Sequence, residues 1–284
     1  MHLYQGIPTI ESYHYVLKSS LFRSMELFSN QFLIKNKSDL KGYGRKWVAD
    51  PFHQWSRQYE YPLVYYHIHS YMHNQQKSDL NILDAGSGAT FFPYYLSSTH
   101  PDLKVYCCDH DLTYGQIFSS INKTTNLLNK FCPADIRYLP FGESTIDIVY
   151  CISVLEHTNE FDMIIREFKR MLKPNGLLIV TFDISIDGLD DIPREKAMEL
   201  IESLEKHFFC LNGFNSKQAL ALLESEKILT TRYIREFDKN LLPWKYSRSK
   251  ALKDILRFRA PKPFFRNLTC FCEVLTNKKP VQTI

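Results

Sequence analysis

Three carboxylates and two glycines in this chain are of the types that a nucleotide site could use. ILDAGSGATF (82–91) follows an apolar run and supplies Asp84, Gly86 and Gly88. Glycines at alternate positions let the chain turn tightly and let a ligand approach the backbone. Asp109 lies 21 residues after Gly88, at the end of KVYCCDHD (104–111), and Asp135 stands in ADIRYLPF (134–141). Carboxylates accept from hydroxyl and amine donors and balance positive charge. Each acid also has a purely structural use: Asp84 can brace the turn that follows it, and Asp135 can cap a helix or turn. A dinucleotide fingerprint would place its last small residue at position 91, where Phe91 is too bulky to let a helix close on the strand.

Other residues could join such a site. WSRQYEYP (55–62) concentrates recognition-type side chains. Arg57 could meet a ligand carboxylate while Trp55, Tyr59 and Tyr61 line a lid. Alternatively, Arg57 pairs with Glu60 at i, i+3 and the rings pack over the sheet. His157 follows a strand at the edge where ligands bind in open α/β sheets, and is the first candidate for a general base; its structural alternative is a hydrogen bond to the neighbouring loop. His67, His69 and His73 have no acidic motif beside them, so no metal is expected there. The seven cysteines include no Cys-x-x-Cys pair, which argues against zinc and for free thiols in a reducing compartment.

The elements that must position these residues alternate. NILDAG (81–86), KVYCCDHD (104–111), IDIVYCISVL (146–155) and the strand within LKPNGLLIVTFD (172–183) read as strands, with FDMIIREFKRML (161–172) a helix between the last two. Strands alternating with helices predict parallel β-α-β units covered on both faces. Residues 10–28 carry an amphipathic helical period, 35–46 form a polar connector, and Pro51 and Pro62 are expected at the starts of helical turns. Four pieces follow: a helical, aromatic-rich cover (1–78), a nucleotide-binding core (79–183), a helical insertion acting as a substrate lid (184–218), and a last part of the core (219–284). The last part holds two expected strands, ILTTRYI (228–234) and LTCFCEVL (268–275).

At 284 residues and a net charge of +4, the composition is that of an ordinary globular chain. No apolar run approaches a membrane span, and the start of the sequence lacks a basic patch followed by an apolar stretch, so neither a span nor a cleaved signal peptide is expected. The chain is expected in the cytoplasm. Residues 244–266 hold eight basic residues against one acid. A solvated loop or an anionic small substrate accounts for that run better than nucleic acid, since no binding module accompanies it.

Residues 80–183 resemble the class I S-adenosylmethionine (SAM)-dependent methyltransferases, particularly the branch acting on small molecules. Asp84-x-Gly86-x-Gly88 is similar to their first motif, with Thr90 in place of a third glycine. The resemblance implies a Rossmann-like, doubly wound α/β sheet of seven strands with the last antiparallel, SAM as cofactor and S-adenosylhomocysteine as product. It places Asp84, Gly86 and Gly88 at the methionine end, Asp109 at the ribose, and Asp135 with the Ile136 N–H at the adenine. Cys151, on the strand beneath the cofactor, and Arg57 complete the cofactor set, and Asp183 joins the acceptor lining. The implied activity is methyl transfer to a small acceptor, anionic ones included. A non-catalytic scaffold with the same fold and a nucleic-acid methyltransferase are the alternatives; the latter's usual Asn- or Asp-Pro-Pro-aromatic tetrapeptide is absent.

Overall fold

The computed structural model describes residues 3, 5–46, 50–189, 192–243, 256 and 266–277, with only the backbone of 45 and 46. The basic run 244–266, apart from Leu256 and Arg266, therefore lies outside the described residues.

The amino-terminal part folds as α1 (Ile10–Leu17), α2 (Ser20–Lys35), the single-turn α3 (Tyr43–Lys46) and the long α4 (Arg57–Gln75). The helical period over 10–28 is split in two rather than continuous. Ser19 adopts an extended conformation and its hydroxyl accepts from the Phe22 N–H at 3.0 Å, starting α2 afresh. Pro62 lies inside α4 instead of opening it. The lost N–H leaves the Gln58 carbonyl without its helical donor, a cost of about 3 kcal/mol. Burial offsets it: residues Gln58 to Val64 are all buried, because α4 is sandwiched between α1 and α2 on one side and the sheet on the other.

The sheet is built from β1 (Asn81–Ala85), β2 (Lys104–Asp109), β3 (Lys130–Pro133), β4 (Ile146–Ile152), β5 (Leu172–Ser185), β6 (Phe209–Cys210) and β7 (Leu268–Thr276). Their spatial order is β3-β2-β1-β4-β5-β7-β6, parallel from β3 to β5, with β7 antiparallel to β5. Between them run α5 (Phe92–Thr99), α6 (Tyr114–Thr125), α7 (Phe161–Met171), α8 (Arg194–His207), α9 (Ser216–Leu220) and α10 (Thr231–Phe237). The seven-stranded, doubly wound architecture with its antiparallel last strand is thus the one the sequence implies. Strands β4 and β7 are almost wholly buried, as a sheet covered on both faces requires.

One core cluster packs α1, α2, α4, α5 and α6 against one face, and a second packs α7, α8 and α9 against the other. The first runs from Leu3 to Val274, so it passes through residues 78–79 without a seam. In α7, Phe161, Ile164, Ile165, Phe168 and Met171 are buried at spacings of three and four while the charged residues face outward.

Three departures from the expected layout have physical causes. Residues 228–234 are not a strand: Ile228 makes a single bridge to Thr9, and the Thr230 hydroxyl then caps α10 by accepting the Tyr233 N–H at 3.1 Å. The β-branched run suggested a strand, and the cap decided otherwise. The sixth strand is instead Phe209–Cys210, too short to show a period, and β3 was likewise too short to be read. Finally, α8 does not stand over the sheet edge as a lid. Its buried face (Ala197, Leu200, Ile201, Leu204) lies on α7 as the crossover helix leading to β6. Among the described residues, no helix is long and apolar enough to cross a membrane.

Candidate functional site

The turn after β1 is held open by its glycines. Gly86 has φ +80° and Gly88 φ +53°, both in the left-handed region that disfavours a Cβ. Space forbids one as well. A Cβ on Gly86 would stand 2.5 Å from Val154 Cγ2, and one on Gly88 would stand 2.7 Å from the Tyr43 hydroxyl. The Gly86 and Ser87 N–H groups both donate to the Cys108 carbonyl, at 2.8 and 2.9 Å, folding the turn across the end of β2.

Asp109 stands beside this turn. Its Oδ2 accepts from the Gly88 N–H at 3.0 Å, while its Oδ1 accepts from the Asp111 N–H at 3.1 Å and lies 3.2 Å from His110 Nδ1. The structure therefore brings Gly86, Gly88 and Asp109 together, with the Gly88 N–H as a partner of Asp109 Oδ2. Asp84 is buried beneath the turn, and that burial pushes its carboxyl up to about 8, against a smaller downward pull from the Tyr150 hydroxyl. A buried acid of this kind favours a neighbouring cation.

Asp135 and Ile136 lie on the loop after β3, half-buried. Asp135 is engaged: Arg137 Nε reaches both of its oxygens at 3.0 Å, and Arg137 also bonds Glu160. These contacts hold the Asp135 carboxyl below the usual range. Cys151 is fully buried with its side chain in the core on the α7 side, so contact with a ligand would go through its backbone.

At the other side of the turn, Arg57 pairs with Glu60 at i, i+3 and also donates to Ser153 Oγ at the end of β4. Ser153 Oγ in turn donates to Glu60 Oε1 at 3.0 Å. The i, i+3 pair considered for Arg57 is formed. Trp55, Tyr59 and Tyr61 are almost wholly buried; Tyr61 stacks on Phe92 with centroids 4.8 Å apart. They serve as packing under the first helical turn of α4, not as an exposed lid.

His157 is exposed at the end of the short turn Leu155–His157, whereas its neighbour Glu156 points inward and is buried. Glu156 Oε1 accepts from the Asp183 N–H at 3.4 Å and its Oε2 has no partner. Burial, reinforced by the Asp183 charge, raises the Glu156 carboxyl well above its ordinary value. Glu60 pairs with the Arg57 guanidinium, which also feels the Asp183 charge and acts in turn on Glu156. Three acids against one guanidinium leave the ends of β4 and β5 acid-rich.

Sequence reasoning missed Tyr43, Ser153 and the burial of Glu156. Tyr43 was read as part of a polar connector, yet it is buried, packs edge-on to Tyr114 at 5.5 Å and closes over Gly88. An aromatic ring between Gly42 and Gly44 was the available signal. His67 is buried, and His69 stacks on Tyr65.

The family model for the methyltransferase domain matches residues 83–180. An uncharacterized protein of Methanocaldococcus jannaschii is 35% identical over 106 residues, covering 37% of this chain and 42% of that protein. A tRNA N(3)-cytidine methyltransferase of Mus musculus is 28% identical over 35% of this chain and 28% of its own length. A malonyl-[acyl-carrier protein] O-methyltransferase of Legionella pneumophila is 28% identical over 35% of each. The chain spans less than half the length of these curated relatives. Among solved structures, a putative sarcosine dimethylglycine methyltransferase from Galdieria sulphuraria has a TM-score of 0.48 at 12% identity, over 76% of this chain and 84% of that one.

Proposed function

Residues 83–180 being a class I SAM-dependent methyltransferase domain, we propose that the chain transfers a methyl group from SAM to a small acceptor that is neutral or cationic. The observation that carries this is the cradle at the ends of β1 and β2. There a Cβ at either glycine would collide with its neighbours, and Asp109 is clamped to the Gly88 N–H. The residues present fit the cofactor. Asp109 would accept from ribose hydroxyls, Asp135 and the Ile136 N–H would meet the base, and the buried Asp84 would give up its proton when a cationic methionine end lies beside it.

When bound, SAM supplies a methyl group on a sulfonium, which an aligned nucleophile displaces in line. The chain's part is alignment and exclusion of water, which can supply on the order of 7–11 kcal/mol. Tyr43 covers the glycine turn, and the buried aromatic layer of α4 keeps that side dry. If the acceptor must lose a proton, Glu156 is better placed to take it than His157. It is buried, and one of its oxygens has no partner.

Calorimetric titration with SAM, S-adenosylhomocysteine and NAD, on the native chain and on Asp109→Asn, tests the reading. Asn can still accept the Gly88 N–H but loses the charge that strengthens bonds to the ribose. A charged hydrogen bond contributes roughly 1.5–3 kcal/mol, so sulfur-nucleotide affinity should fall about 10- to 150-fold. Equal binding of NAD, or no loss in the variant, would overturn the assignment.

A further inference from the structure

At the opposite edge of the sheet, three elements bring metal-ligating atoms together. Glu205 lies in the last turn of α8, Cys210 ends β6, and Glu273 sits in the middle of β7; their donor atoms all lie within 4.8 Å of one another. Cys210 Sγ is 3.4 Å from Glu273 Oε1 and 3.8 Å from Glu205 Oε1. In a tetrahedral zinc site with Zn–S of about 2.3 Å and Zn–O of about 2.0 Å, a sulfur and an oxygen ligand stand about 3.5 Å apart. The two observed separations bracket that value.

Glu273 supplies the second, independent observation. It is fully buried, and its Oε2 has no partner. Its Oε1 has only neutral ones, the Ser216 hydroxyl at 2.5 Å and the Cys210 thiol. Among the described residues no lysine, arginine or histidine forms an ion pair with Glu273 or Glu205. A carboxylate buried with neutral partners calls for a cation or for a proton.

We propose that Glu205, Cys210 and Glu273 form a binding site for a divalent transition metal of the zinc type, separate from the methyl-transfer site. Binding breaks the Cys210 S–H bond, forms a metal–sulfur bond and releases the proton to solvent, while Glu273 and Glu205 each give one oxygen. The Ser216 hydroxyl, 3.6 Å from Cys210 Sγ, or a water fills the fourth position. The metal ties α8, β6 and β7 at one point. Strand β6 has only two residues and two register partners on β7, so such a tie supplies what its own pairing cannot. β7 is three strands from β1, about 14 Å across the sheet at the usual spacing, so the site is structural and not part of the cofactor cleft.

The test is cobalt titration of the full chain after chelator treatment, read by absorption, with zinc as competitor. One cobalt per chain is expected, with a thiolate-to-cobalt charge-transfer band that zinc abolishes and that is lost in Cys210→Ser. Glu273→Gln should weaken binding at least about tenfold, the affinity change that 1.4 kcal/mol represents. Glu205 is only half-buried, so Glu205→Gln guards against misfolding of the Glu273 variant and should weaken binding in the same direction. Zinc should raise the unfolding temperature of the native chain and not that of Cys210→Ser. Absence of the band at saturating cobalt would mean that Glu273 holds a proton instead, and a band persisting in Cys210→Ser would put the metal on another cysteine. Either result overturns the proposal.

Discussion

Replacing Gly86 by alanine tests the geometry of the cradle in two separable parts. The first is conformational: at φ +80° a Cβ meets its own backbone, a cost of about 1–2 kcal/mol. The second is steric. The new Cβ would lie 2.5 and 2.8 Å from the two Val154 methyl carbons and 3.2 Å from its Cβ, so Val154 or the turn must shift. Forcing a methyl into packed surroundings costs typically about 1–3 kcal/mol. The sum, about 2–5 kcal/mol, corresponds to a fall in Tm of roughly 4–20 °C for a domain near this size. Val154→Ala removes both methyl carbons at the close contacts and leaves only the one at 3.2 Å. In the double variant the steric part should vanish while the conformational part stays. Urea denaturation of the four proteins gives the coupling energy, expected at about 1–3 kcal/mol in favour of the double variant. Titration with S-adenosylhomocysteine alongside should show binding impaired in Gly86→Ala. A Gly86→Ala protein within 0.5 kcal/mol of native, or one equally destabilised with and without Val154, would refute the reasoning.

Arg57→Met strands the fully buried Glu60 without its cation, so it should cost about 3–5 kcal/mol in urea denaturation. Arg57→Met with Glu60→Gln should recover most of that loss, and no recovery would mean that Arg57 acts through packing. Asp84 holds its proton in the folded state up to about pH 8, whereas an unfolded carboxyl releases it near pH 4. Native stability therefore falls as pH rises from 4 to 8, and Asp84→Asn should raise Tm relative to native at pH 7.5 but not at pH 4; a pH-independent difference would refute this. His53 is raised by its bond to Asp50 and, less, by Glu26, so its contribution is full below about pH 6.5 and lost as pH rises through the folded value. His53→Gln should accordingly lower Tm more at pH 5.5 than at pH 8.5.

The features that the sequence determined by itself are those with local causes. Two glycines at alternate places can take positive φ wherever the chain puts them, so the turn at 86–88 was legible, and so was Asp109 at the end of the next strand. The apolar strands β1, β2, β4 and β5 and the three-four spacing of α7 carry their own periods. Other features exist only between distant elements. Gly6 pairs with Cys272, sharing with β6 the outer edge of β7, and no local signal joins residues that far apart. Whether Thr230 would cap a helix or continue a strand depended on where Ile228 could pair, namely with Thr9. Adjacent residues of one short turn, Glu156 and His157, point to opposite environments, and only the packing over β5 decided which is buried. Arg57 met Glu60 and Ser153 because α4 crosses the end of β4, which makes a recognition-type arginine into a brace. Tertiary structure chose among side chains whose chemistry was already present, through burial and direction, which periodicity does not encode.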